Sequence, residues 1–181
     1  MNKSLFSLVA VVATLASASA CAQGYVGAGV GPSKINVDCT GTITCDKTDT
    51  GYKLYGGFRF PNQLAVEGVY FDWGKATGTG TIEGLGTGSG EVKASGFGIG
   101  VAYFVPFATN WTGVGRLGVA QTKGKTTLTG EGTISDSFTG TFPYYGLGIA
   151  YNFTPNLAVT GEADFSRVKY TDADKANVQL L

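Results

Sequence analysis

The 181-residue chain contains no histidine. That absence removes the commonest general base, the commonest metal ligand and the usual partner of a nucleophilic serine. Net charge is missing as well: 13 Lys and Arg balance 13 Asp and Glu, and no basic cluster stands out. Nucleic-acid binding therefore has nothing electrostatic to start from. Long apolar runs are also lacking. Beyond the N-terminus none reaches eighteen residues, which excludes a transmembrane helix there, so any membrane span has to be made of strands.

What is present is a β composition. Glycine counts 29 against 5 prolines, threonine is abundant, and 43% of residues are apolar, a share compatible with one domain of this length. The first 22 residues read as a secretion signal: a short basic start at Lys3, an apolar run over Leu5–Leu15, and a small-x-small site at Ala18-Ser19-Ala20 or Ala20-Cys21-Ala22. The mature protein then starts at Cys21 or Gln23, and residues 23–181 form the domain. A lipid-modified Cys21 is the rival reading, but Ala18 stands where the lipoprotein pattern has leucine. Two cysteines remain, Cys39 and Cys45. In a short polar segment of an exported protein they are expected to form a disulfide that staples a loop; without histidine or a second cysteine pair they do not make a zinc site.

Strand-like runs fall at Gly24–Gly31, Gly51–Phe60, Leu64–Trp73, Ala94–Phe104, Trp111–Thr122, Gly140–Phe153, Leu157–Tyr170 and, incompletely, Lys175–Leu181. Short turns at Pro61-Asn62, Val105–Asn110 and Thr154–Asn156 alternate with long polar loops at Pro32–Thr50, Lys75–Lys93 and Lys123–Thr139. A meander with short connections at one end and long ones at the other is the layout of an outer-membrane barrel. The glycine runs GYVGAGVG and GFGIG precede no helix, so they read as strand glycines and not as a dinucleotide fingerprint.

Sorting the faces separates apolar from charged side chains. Tyr52, Leu54, Phe58 and Phe60 oppose Lys53, Tyr55 and Arg59; Leu64, Val66 and Tyr70 oppose Ala65, Glu67 and Val69. Likewise Leu117 and Val119 oppose Arg116, and Leu157, Val159 and Phe165 oppose Thr160, Glu162, Asp164 and Ser166. A charge facing mid-bilayer lipid costs about 2–4 kcal/mol for Arg or Lys, so the charged face points inward. Arg59, Glu67, Arg116 and Glu162 are expected to form a lumen ion-pair network, because buried charges persist mainly when paired. Aromatic residues gather near the short turns (Phe58, Phe60, Phe104, Phe107, Trp111, Tyr151, Phe153) and toward the other end (Tyr70, Trp73, Phe165, Tyr170), as interface girdles do.

The segments GYKLYGGFRFPNQLAVEGVYFDWG and YYGLGIAYNFTPNLAVTGEADFSRV resemble the small outer-membrane β-barrel family that includes the OmpA transmembrane domain, OmpX and the opacity proteins. The resemblance implies an all-β, eight-stranded antiparallel up-and-down transmembrane barrel in a Gram-negative outer membrane. Lys175–Leu181 falls short of the roughly 9–11 residues a spanning strand needs, so the last strand is expected to be short or truncated. The implied partners are outer-membrane lipid and lipopolysaccharide, the barrel-assembly machinery and an extracellular partner of the loops, with no nucleic acid, metal or cofactor.

Three functions follow in order of support: a structural and surface-interaction barrel with a plugged lumen; a narrow ion or small-solute channel gated by the lumen salt bridges; and a soluble ligand-binding barrel, which would need an apolar lumen. An enzyme is not expected, since hydrolytic barrels look for a histidine that this chain lacks.

Overall fold

The computed structural model describes residues 23–39, 43–82, 86–130, 133–171 and 174–181. The signal read over residues 1–22 lies outside them. Among the described residues nine strands run in chain order: β1 (Gln23–Ile35), β2 (Thr44–Asp46), β3 (Thr48–Arg59), β4 (Leu64–Ile82), β5 (Gly86–Ala108), β6 (Trp111–Thr129), β7 (Thr133–Thr154), β8 (Leu157–Lys169) and β9 (Lys175–Leu180). Every pairing is antiparallel. Eight strands close a ring in which β1 joins both β3 and β9, and β4 joins β5; the short β2 lies outside the ring, on the upper part of β4. Among the described residues no helix is long and apolar enough to cross a membrane.

Alternation along the strands turns this ring inside out relative to a soluble barrel. Val26 is 86% exposed and Leu147 70%, and Ile99, Leu117, Val66 and Val159 are exposed with them. The buried side chains face the lumen. Toward the end carrying the longer strands the lumen is apolar, packed with Phe71, Trp73, Tyr144, Ile35, Val168, Val178 and Leu180. Phe71 and Trp73 stack with centroids 4.9 Å apart, and Tyr144 meets Phe71 edge-on at 5.6 Å.

Trp73 and Phe104 therefore depart from the girdle expectation. Trp73 is 1% exposed inside the barrel, and Phe104 turns toward Arg59 and Tyr25. Both fall on the inward parity of their strands, and parity outweighs nearness to a strand end. On the outside, Phe107, Trp111, Tyr151 and Phe153 form a continuous aromatic chain at the short-turn end, linked by centroid distances of 6.5, 5.0 and 4.8 Å.

Two segments expected as long loops are strands. β4 and β5 stay paired from Lys75↔Lys93 to Ile82↔Gly86, and β6 and β7 from Lys123↔Thr139 to Thr129↔Thr133. Their Thr/Gly-rich sequences carry no apolar alternation because neither face needs burial against lipid, so period-2 reading misses them. At about 3.4 Å per residue the β4–β5 extension rises some 25 Å above Lys75.

A bulge between Asp72 and Lys75 starts that extension. Gly74 sits there at φ 67°, and the Asp49 carboxylate accepts from the backbone N–H of Lys75 at 2.8 Å. At the opposite end the β3–β4 turn closes through Gln63, a non-glycine at φ 69° whose N–H donates to the Phe60 carbonyl at 3.1 Å. Cys39 and Cys45 are joined in a disulfide that spans six positions with a Cα–Cα distance of 6.2 Å, as the sequence suggests.

Candidate functional site

Beneath the aromatic layer the lumen holds charge. Glu67 on β4, Arg116 on β6, Glu162 and Asp164 on β8 and Lys53 on β3 all project inward. Arg116 Nε donates to Glu67 Oε2 at 2.9 Å, and its Nη1 lies 2.6 Å from Glu162 Oε1. Lys53 Nζ lies 2.5 Å from Glu162 Oε2 and 2.7 Å from Asp164 Oδ2. The chain of contacts is thus Glu67, Arg116, Glu162, Lys53, Asp164. Tyr25 on β1 extends it by donating its hydroxyl to Glu67 Oε1 at 2.5 Å.

None of these salt bridges joins neighbouring strands. Glu67 reaches Arg116 across β5, and Arg116 reaches Glu162 across β7, while Lys53 and Glu162 face one another through the lumen. The intervening strands make room with glycine. Gly100 of β5 is register partner of both Glu67 and Gly118, and Gly146 and Gly148 of β7 lie opposite Arg116 or Val114 on one side and Asp164 or Glu162 on the other. Small inward residues in a narrow barrel let long charged ones extend over them.

Aromatic faces complete the cations' surroundings. The Arg116 guanidinium lies 4.7 Å from the Tyr55 ring centroid, and Lys53 Nζ is 5.1 Å from Tyr55 and 5.9 Å from Phe71. Ring faces attract cations most where water is excluded. Glu67 at 1%, Asp164 at 2%, Lys53 at 3% and Arg116 at 5% are all buried, so pairing is the condition of their being charged there at all.

Of the four residues read from the sequence, Glu67, Arg116 and Glu162 meet in this network and Arg59 does not. Arg59 donates to the Gln63 side chain and stacks on Phe104 at 4.4 Å. The β3–β4 register pairs Arg59 with Ala65 and sets Glu67 against Gly57, which leaves Arg59 nearer the short-turn mouth. Lys53 and Asp164 take part in its place. Both lie on the inward parity that the sequence reveals, but their contacts run across the lumen and not along a hairpin.

A second charged group stands outside the wall, beyond the apolar belt. Lys75 and Lys93 are cross-strand partners, Lys93 in turn faces Lys125, and Lys123 lies opposite Ser95. Glu91 bridges the first two, 3.2 Å from Lys75 Nζ and 3.4 Å from Lys93 Nζ. Partial burial pushes the Glu91 carboxyl up, but the hydrogen bond from Lys75 and the charge of Lys93 outweigh it and hold the group below its ordinary value.

A β wall apolar outside and ion-paired inside has its counterpart among known proteins. The model of the outer membrane protein β-barrel domain matches residues 4–180. The chain belongs to that family. It therefore resides in the outer membrane, where the exposed belt of Val26, Ile99, Leu117 and Leu147 contacts lipid. Among solved structures it is similar to Ail, the attachment invasion locus protein of Yersinia pestis. The crystal structure of Ail with the heparin analogue sucrose octasulfate is 21% identical, with a TM-score of 0.55 over 88% of this chain and 94% of that one. A second Ail structure gives 22% identity and a TM-score of 0.53, covering 87% and 93% respectively. No curated protein sequence matches the chain. At these identities the likeness to Ail establishes the fold.

Proposed function

We propose that this protein is a structural and surface-interaction barrel: a wall with a plugged lumen that holds two tall hairpins clear of the outer leaflet. The observation that carries this reading is the continuous pairing of β4 with β5 and β6 with β7 beyond the belt, ending at Ile82↔Gly86 and Thr129↔Thr133. Such ladders are rigid supports for contact, whereas a channel needs a continuous wet path. The buried ion-pair chain and the Phe71, Trp73 and Tyr144 layer argue for a plug.

The four lysines 75, 93, 123 and 125, on three neighbouring strands just above the belt, suit anionic groups, among them lipopolysaccharide phosphates. Like charges placed directly across a ladder repel, and an anion between them offsets that repulsion. The barrel-assembly machinery is the partner that membrane insertion of such a sheet requires. An extracellular partner of the hairpins is proposed with sulfated glycans as its first probe, since Ail holds a heparin analogue.

The test compares attachment to a heparin-coated surface by cells carrying the full chain and cells carrying a version with both hairpins shortened to the level of Lys75/Lys93 and Lys123/Thr139. Loss of attachment in the trimmed protein, with its boiling-dependent gel mobility retained, is the expected result. Equal attachment by both would sink the contact role of the hairpins. In a planar bilayer the intact protein is expected to give no discrete conductance steps; steps that change on Glu162→Gln would instead establish the gated channel.

A further inference from the structure

Beyond the lysine row the two tall hairpins form one sheet with two unlike faces. On the outward face Thr44, Thr79, Ser89, Thr129 and Thr133 stand side by side across five strands. The adjoining inward row reads Cys45, Gly78, Gly90, Leu128 and Ile134 in the same strand order. The Cys39–Cys45 disulfide stands at one end of that row and two aliphatic side chains at the other, with bare backbone between them. Gly80 and Gly88, paired with each other one row further out, enlarge the bare patch. These four glycines floor a cleft of about 510 Å³ that the disulfide, Leu128 and Ile134 flank. Toward the barrel it is bounded by Val37 and Tyr170, which pack on the apolar core.

Lower in the barrel, Gly146 and Gly148 leave room for Asp164 and Glu162. The hairpin glycines have no such neighbour among the described residues beyond Leu128, whose Cδ2 would lie 3.3 Å from a Cβ built on Gly90. Glycine inside a strand weakens it, and marks a place where a ligand or another backbone approaches closely. The aliphatic flank agrees. Leu128 and Ile134 are 53% and 67% exposed on the inward parity, at a level about 10 Å beyond the lysine row, where neither core nor lipid covers them.

Hydrogen bonding, charge and shape then narrow the occupant. Gly78 pairs with both Cys45 and Gly90, and Gly90 with both Gly78 and Leu128, so the floor has no free edge to which a strand could add. Among the described residues of the lining there is no lysine or arginine, and the carboxylates are Asp38 and Glu91. Glu91 turns outward to Lys75 and Lys93. An anion in the cleft would lie near carboxylates with no cation to pair it. The floor itself is flat: its glycine Cα positions mark a rectangle of about 4.8 by 6.8 Å, the footprint of one or two fused rings. Dispersion grows with the number of atoms in contact, so a flat face gains more there than a flexible chain does.

We infer that this cleft is a binding site for a flat, apolar ring compound without negative charge, which lies on the glycine floor between the disulfide and Leu128. Its volume falls within the roughly 300–1,000 Å³ of small-molecule sites. The compound enters from solvent, since the cleft stands beyond the lysine row and away from the lipid-facing belt.

The probe is 2-naphthol, two fused rings that are uncharged at about pH 7, with 2-naphthoate as the same rings carrying a negative charge. Binding is measured by equilibrium dialysis of the full chain refolded in detergent, with protein-free micelles of the same detergent as the blank. The expected result is saturable uptake of one 2-naphthol per chain, displaced by indole. Binding of 2-naphthoate, and of 2-naphthol to the trough-filling variant Gly90→Ile, should each be weaker by about tenfold or more. Ser89→Ile, the neighbouring position on the outward face, should bind as the unaltered chain does.

Where Gly90→Ile does not refold, the unaltered protein supplies the answer through its methyl resonances. The bound rings should move those of Leu128 and Ile134 to saturation, and that of Leu147 on the lipid-facing belt only in proportion to the micelle-bound probe. Uptake that does not saturate, equal binding by Gly90→Ile, or movement at Leu147 without saturation at Leu128 would show partition into the micelle and overturn the site. Equal binding of 2-naphthoate would overturn the charge assignment. Displacement by 1-octanol in preference to indole would show an acyl chain on the floor and overturn the ring assignment.

Discussion

Lys53 bridges two carboxylates that stand two residues apart on β8, a strand with which its own strand β3 does not pair: its Nζ is 2.5 Å from Glu162 and 2.7 Å from Asp164. The ammonium holds together two negative charges on one inward face, in a place where water cannot separate them. Lys53→Met should therefore cost far more than an exposed lysine would, about 3–5 kcal/mol, because it leaves like charges adjacent and one of them unpaired. The check is the urea midpoint for loss of the folded gel band in detergent. Arg59→Met, made in parallel, should move that midpoint by about 1 kcal/mol or less, since its partners are Gln63 and the face of Phe104. Equal losses in the two variants would overturn the assignment of Lys53 over Arg59.

The contrast between Lys53 and Arg59 also marks how far the sequence can be read. Period-2 alternation placed Lys53, Arg59, Glu67, Arg116, Glu162 and Asp164 on the inner face, and all six are there. Alternation reports parity, and the hairpin turns report depth near each turn; neither reports which strands face one another across a closed lumen. The ring order that puts only β1 and β9 between β3 and β8, and so brings Lys53 within reach of Glu162 and Asp164, depends on closure, which is a property of the whole sheet. The Thr/Gly hairpins were illegible for a different reason: with solvent on both faces, β4 beyond Ala76 and β7 before Gly140 have no apolar stripe to display, although their backbones pair without interruption. Trp73 shows the reverse error, where an aromatic residue near a strand end suggested the membrane interface although it shares the parity of Glu67 and Val69, which the alternation placed on the inner face.

Gly118 is expected to be essential to the packing over the ion pairs. A Cβ there would strike the Tyr144 ring and the Ile99 carbonyl and would come within 2.7 Å of the Gly100 Cα. Backbone on the neighbouring strand cannot yield as a flexible side chain can. Gly118→Val should destabilise the barrel by about 1–3 kcal/mol through overpacking. Gly68→Ala is the control: it meets nothing within 4 Å and should leave the unfolding midpoint in place.

Gly74 carries a backbone requirement in addition to a packing one. Its φ of 67° is a conformation that L side chains rarely adopt, and a Cβ would run into Asp49, the carboxylate that accepts from Lys75 N–H. Gly74→Ala should cost about 1–3 kcal/mol and loosen the base of the β4–β5 hairpin. Amide exchange at Lys75 is the direct readout: it should quicken in this variant and stay slow in Gly68→Ala.

The Lys75, Glu91 and Lys93 cluster gives a pH dependence with a definite sign. Glu91 lies below its ordinary carboxyl value in the folded protein because, against the upward push of burial, Lys75 and Lys93 favour its ionised form. A carboxylate of this kind contributes stability above its unfolded pKa and loses it as pH falls through the lower folded value. The contribution is therefore intact at neutral pH and disappears in acid, below an ordinary value of 4.5. All three side chains are substantially solvated, so the effect should stay below about 1 kcal/mol and shrink in salt. Glu91→Gln should also leave Lys75, Lys93 and Lys125 adjacent without the anion between the first two, making them mutually repulsive. If the row meets outer-leaflet phosphate, adding lipopolysaccharide should restore the thermal midpoint lost by Glu91→Gln, and uncharged detergent should not. Restoration by both would show that the lysine row senses the micelle alone.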